Sequence, residues 1–274
     1  VYDEILSNPK APRVKRVSAL ARKKERLAQG RFLVEGPQAV RELLAYRPQL
    51  ADAVYATMGN EPWQFEVDRL ASEAAVRLER VTDEVLAAMS ETVNPQGVVA
   101  VARTWETSAA DAVRGARLVV VLHEVRDPGN AGAVLRVADA AGADAVIFAG
   151  ESIDPFHPKV VRSTTGSLFH LPVGIVDSLG EAAQAAREAG LAVLAADVRG
   201  SDLLEARGEG ALDGPVAWVF GNEARGLSDA DRALADRSLK LPIYGAAESL
   251  NLATAASVIV YETAFAQNAE SARR

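Results

Sequence analysis

Five stretches of this chain are apolar without alternation: Leu118–Leu122, Ala145–Phe148, Val173–Val176, Ala192–Ala196 and Val216–Phe220. A strand with one wet face alternates apolar and polar residues, whereas an unbroken Val/Ala/Leu run suits a strand covered on both faces. Helical stretches separate the runs, so the pattern predicts βαβ crossovers and a mostly parallel α/β sheet. Leu239–Leu241 supplies a shorter strand. Helices are expected over about residues 131–141, stopped by Gly142, and over about 249–267, where Ala253, Ala255, Ala256 and Ser257 are small.

The first third reads as a separate, mixed α/β domain. Phe32-Leu33-Val34 is closed by Glu35-Gly36-Pro37, and Ala39, Val40, Leu43 and Leu44 then recur at helical spacing. Short strands are expected at 53–56 and 76–78, and a stronger one at 97–102. The stretch Arg103–Gly115 loses apolar strand character, which puts a boundary near residue 108 and divides the chain into 1–107 and 108–274. With 274 residues, two domains of that size are expected.

Composition excludes several chemistries. There is no cysteine, so thiolate zinc sites, disulfides and cysteine nucleophiles are ruled out. His123, His157 and His170 have no metal-ligand spacing, and no metal is expected. No apolar run is long enough to cross a membrane, and no apolar stretch follows the basic residues near the start, so a cytoplasmic protein is expected. The net charge of −7 is unevenly spread: nine Lys and Arg against one acid give residues 10–31 a charge of +8. Such a segment is either a solvated helix face or a basic arm on an acidic body that meets nucleic acid.

In open parallel sheets ligands bind beyond the carboxyl ends of the strands, so the polar residues after the apolar runs are read first. Four places stand out. His123–Gly132 contains the turn formers Asp127-Pro128-Gly129, then Asn130 as a helix cap, with Arg136 further along between Leu135 and Val137. Lys159–Leu168 brings Arg162 together with hydroxyls before Gly166, which suits phosphate contact or an ordinary turn. Phe220–Ser228 runs from a buried strand into Gly221 and ends at Gly226-Leu227, without the Walker or GxGxxG pattern. Leu241–Leu252 is a Pro- and Gly-containing loop in which Ser249 is a natural N-cap and Asn251 falls in the first turn behind it. Each has a plain loop-and-cap explanation.

In this order, the segments resemble the SpoU (TrmH-like) family of RNA 2′-O-methyltransferases within the SPOUT superfamily. Val125–Gly132 through Arg136 resembles its first motif. Gly221, Glu223, Gly226 and Leu227 match its second, and Pro242, Gly245, Ser249, Leu250 and Asn251 its third. Arg162-Ser163 with Gly166 also fits. Phe32–Gly36 after a basic helix is similar to the substrate-binding domain, of ribosomal-protein fold, that many members carry.

The resemblance implies a trefoil knot in the second domain, a homodimer, and S-adenosylmethionine as methyl donor to a ribose 2′-hydroxyl, with ribosomal RNA as substrate. It implies cofactor contacts around Gly221, Leu241 and Leu250, with Asn222 and Ile243 nearby. Arg136 is then the residue that meets the ribose-phosphate, while Asn130, Glu223, Ser249 and Asn251 shape the catalytic site. Arg22, Lys23, Lys24, Arg31 and Arg162 are the expected RNA contacts. The alternatives are a tRNA 2′-O-methyltransferase, a relative acting on a base nitrogen, and a catalytically silent RNA-binding SPOUT protein.

Overall fold

The computed structural model describes residues 5–271. It divides into two compact units: residues 1–105 with 154–170, and residues 106–153 with 171–274.

The first unit is built on a four-stranded sheet of β1 (Arg31–Glu35), β2 (Ala51–Ala56), β3 (Leu78–Arg80) and β4 (Val98–Arg103) in the order β1-β4-β2-β3. β4 runs antiparallel to both β1 and β2, and β2 pairs parallel with β3. The third strand lies two residues beyond the apolar Val76–Leu78 expected to form it, because Val54 to Ala56 draw Leu78 to Arg80 into register. Two helices, Pro62–Glu73 and Asp83–Met89, lie outside the elements expected from the sequence. Their start signals are a Glu61/Gln64 capping box before Pro62 and the Thr82 hydroxyl that accepts from Val85 N–H. Residues 154–170 join this unit through an aromatic cluster: Phe32, Trp105, Phe156 and Phe169 meet with ring centroids 4.8–6.5 Å apart. Arg26, 2% exposed, donates to Asp154 at 2.7 and 3.0 Å and to the carbonyls of Leu20 and Ala21.

The second unit carries six strands: β5 (Leu118–His123), β6 (Ala145–Ala149), β7 (Val173–Val176), β8 (Ala192–Asp202), β9 (Val216–Phe220) and β10 (Arg237–Lys240). Their order is β10-β8-β9-β5-β6-β7, and every pairing is parallel. β5, β6 and β9 are buried along their whole length, as the unbroken apolar runs require. β8 extends well past its apolar part, and Gly200 lets it cross β10 closely. A Cβ there would lie 2.4 Å from the Ser238 carbonyl.

Two helices carry site residues. Pro128–Ala140 begins earlier than its apolar periodicity indicates, because Asp127 rather than Asn130 is the cap. Its Oδ1 accepts from Asn130 N–H at 2.7 Å with Pro128 in the first turn. The last helix, Leu252–Ser271, is capped by Asn251 rather than Ser249, through 2.9 and 3.3 Å bonds from Ala253 and Thr254 N–H. Its apolar side covers the sheet, where the fully buried Trp218 indole donates to the Thr263 hydroxyl at 2.8 Å. Gln267 donates to the carbonyls of Arg117 and Gly214. These satisfied polar groups fix the helix in register and so fix where Asn251 begins it.

Candidate active site

At the carboxyl ends of β8, β9 and β10 the second unit holds a cavity of about 630 Å³. It is lined by Gly221, Asn222, Glu223, Leu241, Ile243, Ser249 and Leu250, together with Leu227, Leu252, Ala255 and Ile259. All five residues expected around the cofactor therefore face one space, as do Glu223 and Ser249 from the catalytic set. Gly221 is required by close approach, since a Cβ would sit 2.7 Å from the Gly226 carbonyl carbon and oxygen. Gly226 has φ +64°, which favours glycine. The volume lies within the range of small-molecule sites.

The loops after β5 and β9 are stitched together. One Glu223 oxygen accepts from Arg126 N–H at 3.2 Å. The other accepts from Asp127 N–H at 3.0 Å and from the Asn130 amide at 3.4 Å. Asn222 donates to the Glu124 carbonyl at 2.8 Å and accepts from Ala224 and Arg225 N–H. Asn251 then donates to the side-chain amide oxygen of Asn130, Oδ1, at 3.0 Å. A continuous chain, Asn251 to Asn130 to Glu223, thus joins all three motif loops.

This geometry divides the expected residues by what each can still do. Glu223 and Asn222 are filled by protein donors and acceptors, so they hold loops in place. Ser249 is exposed and its hydroxyl has no hydrogen-bond partner among the described residues. Arg136 is exposed and makes no ion pair or hydrogen bond among the described residues. It does not line the cavity, and neither do Asn130 and Asn251.

Part of the cavity lining lies outside the residues expected from the sequence. Asp197 and Arg199 belong to it, and Arg199 grips Asp197 at 2.9 Å, Asp229 at 3.0 Å and the Leu227 carbonyl at 2.6 Å. Burial pushes the Asp197 carboxyl up, but hydrogen bonds from Arg199, with its charge and that of Arg232, outweigh it and hold the group below its ordinary value. The signal was available: Asp197-Val198-Arg199 directly follows the apolar run Ala192–Ala196.

The expected RNA contacts lie in the first unit and differ among themselves. Arg22, Lys23 and Lys24 are exposed, with only a 3.8 Å approach of Arg22 to Glu25. Arg31 pairs with Asp52 at 2.5 Å. Arg162 is ion-paired to the buried Glu35 and lies 3.5 Å from Glu91. Among the described residues no cluster of three or more His, Cys, Asp or Glu can hold a metal ion, and no helix is long and apolar enough to cross a membrane.

A parallel α/β sheet with a glycine-floored cavity at its carboxyl edge, beside three mutually bonded loops, defines a class of small-cofactor-binding α/β domains. Residues 117–261 match the SpoU rRNA Methylase family, and residues 11–100 match the MRM3-like substrate binding domain. The chain belongs to the SpoU rRNA methylase family. It is 33% identical over 257 residues to an uncharacterised tRNA/rRNA methyltransferase of Synechocystis, covering 94% of this chain and 92% of that one. It is 32% identical to the 23S rRNA (guanosine(2553)-2′-O)-methyltransferase RlmP of Bacillus subtilis, covering 93% of this chain and 97% of that one. Among solved structures, AviRb of Streptomyces viridochromogenes in complex with AdoMet superposes with a TM-score of 0.81 at 30% identity, covering 94% of this chain and all of the other.

Proposed function

We propose that this chain transfers a methyl group from S-adenosylmethionine to a ribose 2′-hydroxyl of ribosomal RNA. The observation that carries this reading is the cavity at the carboxyl edge, with the Asn251–Asn130–Glu223 chain beside it. Full-length relatives named as 23S rRNA 2′-O-methyltransferases favour ribosomal over transfer RNA.

The cavity residues suit the cofactor. Leu227, Leu241, Ile243 and Leu250 offer apolar surface for an adenine ring, and the absent side chain of Gly221 keeps the floor open. Bound there, S-adenosylmethionine supplies an electrophilic sulfonium methyl. Asn130 and Asn251, locked by their mutual bond and by the helix cap, orient the incoming ribose. Positioning of this kind accounts for a large part of the barrier. The unpaired guanidinium of Arg136 meets the ribose-phosphate and stabilises charge on the 2′-oxygen as its proton passes to solvent water and the methyl moves from sulfur to oxygen. Arginine is too weak an acid to serve as a simple base at neutral pH. The free Ser249 hydroxyl donates to the same oxygen.

The protein works as a homodimer in the cytoplasm. Thr254, Val258, Tyr261 and Phe265 fall on one stripe of the last helix, and Val258 and Phe265 are 43% and 56% exposed. The exposed Arg22, Lys23 and Lys24 of the first unit contact RNA phosphates. Incubating total RNA from a strain lacking the gene with labelled cofactor, then mapping the product, tests the reading. Label on a ribose 2′-oxygen of ribosomal RNA is expected. Label on a base nitrogen or on transfer RNA would replace it with one of the rival activities.

A further inference from the structure

Glu124 is one of three non-glycine residues with positive φ among those described, at +53°. A side chain there is disfavoured, so a carboxylate at this position calls for a reason. Its backbone is pinned on both sides: its N–H donates to the Ala149 carbonyl, and its own carbonyl accepts from Asn222. The held turn aims the carboxylate at Arg225, with which it pairs. Arg225 lines the cavity mouth and is 64% exposed, while Glu124 is 27% exposed. Two further arginines sit on the loop and helix after β5: Arg126, paired with the exposed Glu151 at 2.6 Å, and Arg136, unpaired among the described residues.

From this arrangement we infer that Glu124 is an internal competitor for an RNA phosphate, and that Arg225 exchanges Glu124 for that phosphate when substrate arrives. The inference rests on the RNA methyltransferase reading and adds two residues to it. An Arg this exposed gains little from a neighbouring carboxylate, so the pair opens at small cost. A backbone phosphodiester offers the same guanidinium a bidentate partner of equal charge. Since the carboxylate is held where it repels a phosphate, sequences or shapes that cannot reach Arg225 gain nothing from opening the pair. Glu124 therefore acts as a positioning residue that weakens non-cognate binding.

The test measures binding of the full chain to an unmodified 23S rRNA transcript across a salt series. Melting temperature and calorimetric S-adenosylmethionine affinity are measured in parallel. Glu124→Gln and Glu124→Gly are both expected to tighten RNA binding about threefold, the range of an exposed pair. Arg225→Ala should weaken it about threefold to tenfold and reduce the salt slope by about one ion. In the double variant Glu124→Gln/Arg225→Ala the gain should vanish, since it acts only through Arg225. S-adenosylmethionine affinity should stay within about twofold in both Glu124 variants. A pair that only braces the loop predicts the reverse: both Glu124 variants loosen RNA and cofactor together, and Glu124→Gln lowers the melting temperature. That result, a gain that persists without Arg225, or cofactor loss in Arg225→Ala with RNA binding intact would overturn the exchange. Absence of RNA binding by the parent chain would overturn the exchange and the methyltransferase reading together.

Discussion

Both oxygens of Glu223 are filled by donors from the loop after β5, while Arg136, a few residues along the next helix, has no such partner among the described residues. The two residues should therefore respond differently to substitution. Arg136→Ala is expected to lower methyl transfer about 100-fold or more with cofactor affinity unchanged, read by single-turnover transfer and calorimetry. Glu223→Ala leaves three donors without their acceptor and should lower melting temperature and cofactor affinity as well as rate. The motif residues were legible by type and order, and the fold joins Asn130, Glu223 and Asn251 by hydrogen bonds. Their division into holders and free groups was not, because it depends on who donates to whom across some 90 to 120 residues of sequence. Asp197 adds a pH dependence at this scale. Its folded-state value lies below the unfolded one, so its contribution is complete above the unfolded carboxylate range near pH 4 and is lost as pH falls through the folded value. Melting temperature should hold above about pH 5 and drop below about pH 4. Asp197→Asn should flatten part of that drop.

At the scale of elements, the buried strands were legible because unbroken apolar runs leave little else to form. Helix ends were less so. The start of Pro128–Ala140 turns on Asp127 rather than Asn130, both good caps, and only the geometry of the Pro128 turn decides between them. Asp127→Ala should cost about 1 kcal/mol in denaturant unfolding. The last helix is held by the Trp218–Thr263 bond, which no periodicity reveals. Thr263→Val strands the buried indole N–H and should destabilise the protein by about 1–3 kcal/mol in the same assay. Because Asn251 begins that helix, the variant should also slow methyl transfer. Unchanged stability in the Thr263→Val variant would show that the bond does not set the register.

For the whole molecule, the charge segment near the start is only partly what its composition suggests. Arg26 is buried on Asp154, Arg13 is held by Glu79 and Arg31 by Asp52, which leaves Lys10, Lys15, Arg16, Arg22, Lys23 and Lys24 facing solvent. Replacing Arg22, Lys23 and Lys24 with Gln should reduce the logarithmic salt slope of RNA binding by about two to three, without changing cofactor affinity. An unchanged slope would make this face a solvated surface and no more.

The polypeptide passes between the units three times, after Trp105, after Ile153 and after His170. A gene cut near codon 107 therefore yields neither unit whole. The upstream product would keep Arg26 without Asp154, Glu35 without Arg162, and Phe32 without Phe156 and Phe169. The downstream product would carry an orphan aromatic segment. Exchanging the first unit as a whole with another chain would therefore need residues 154–170 to move with residues 1–105.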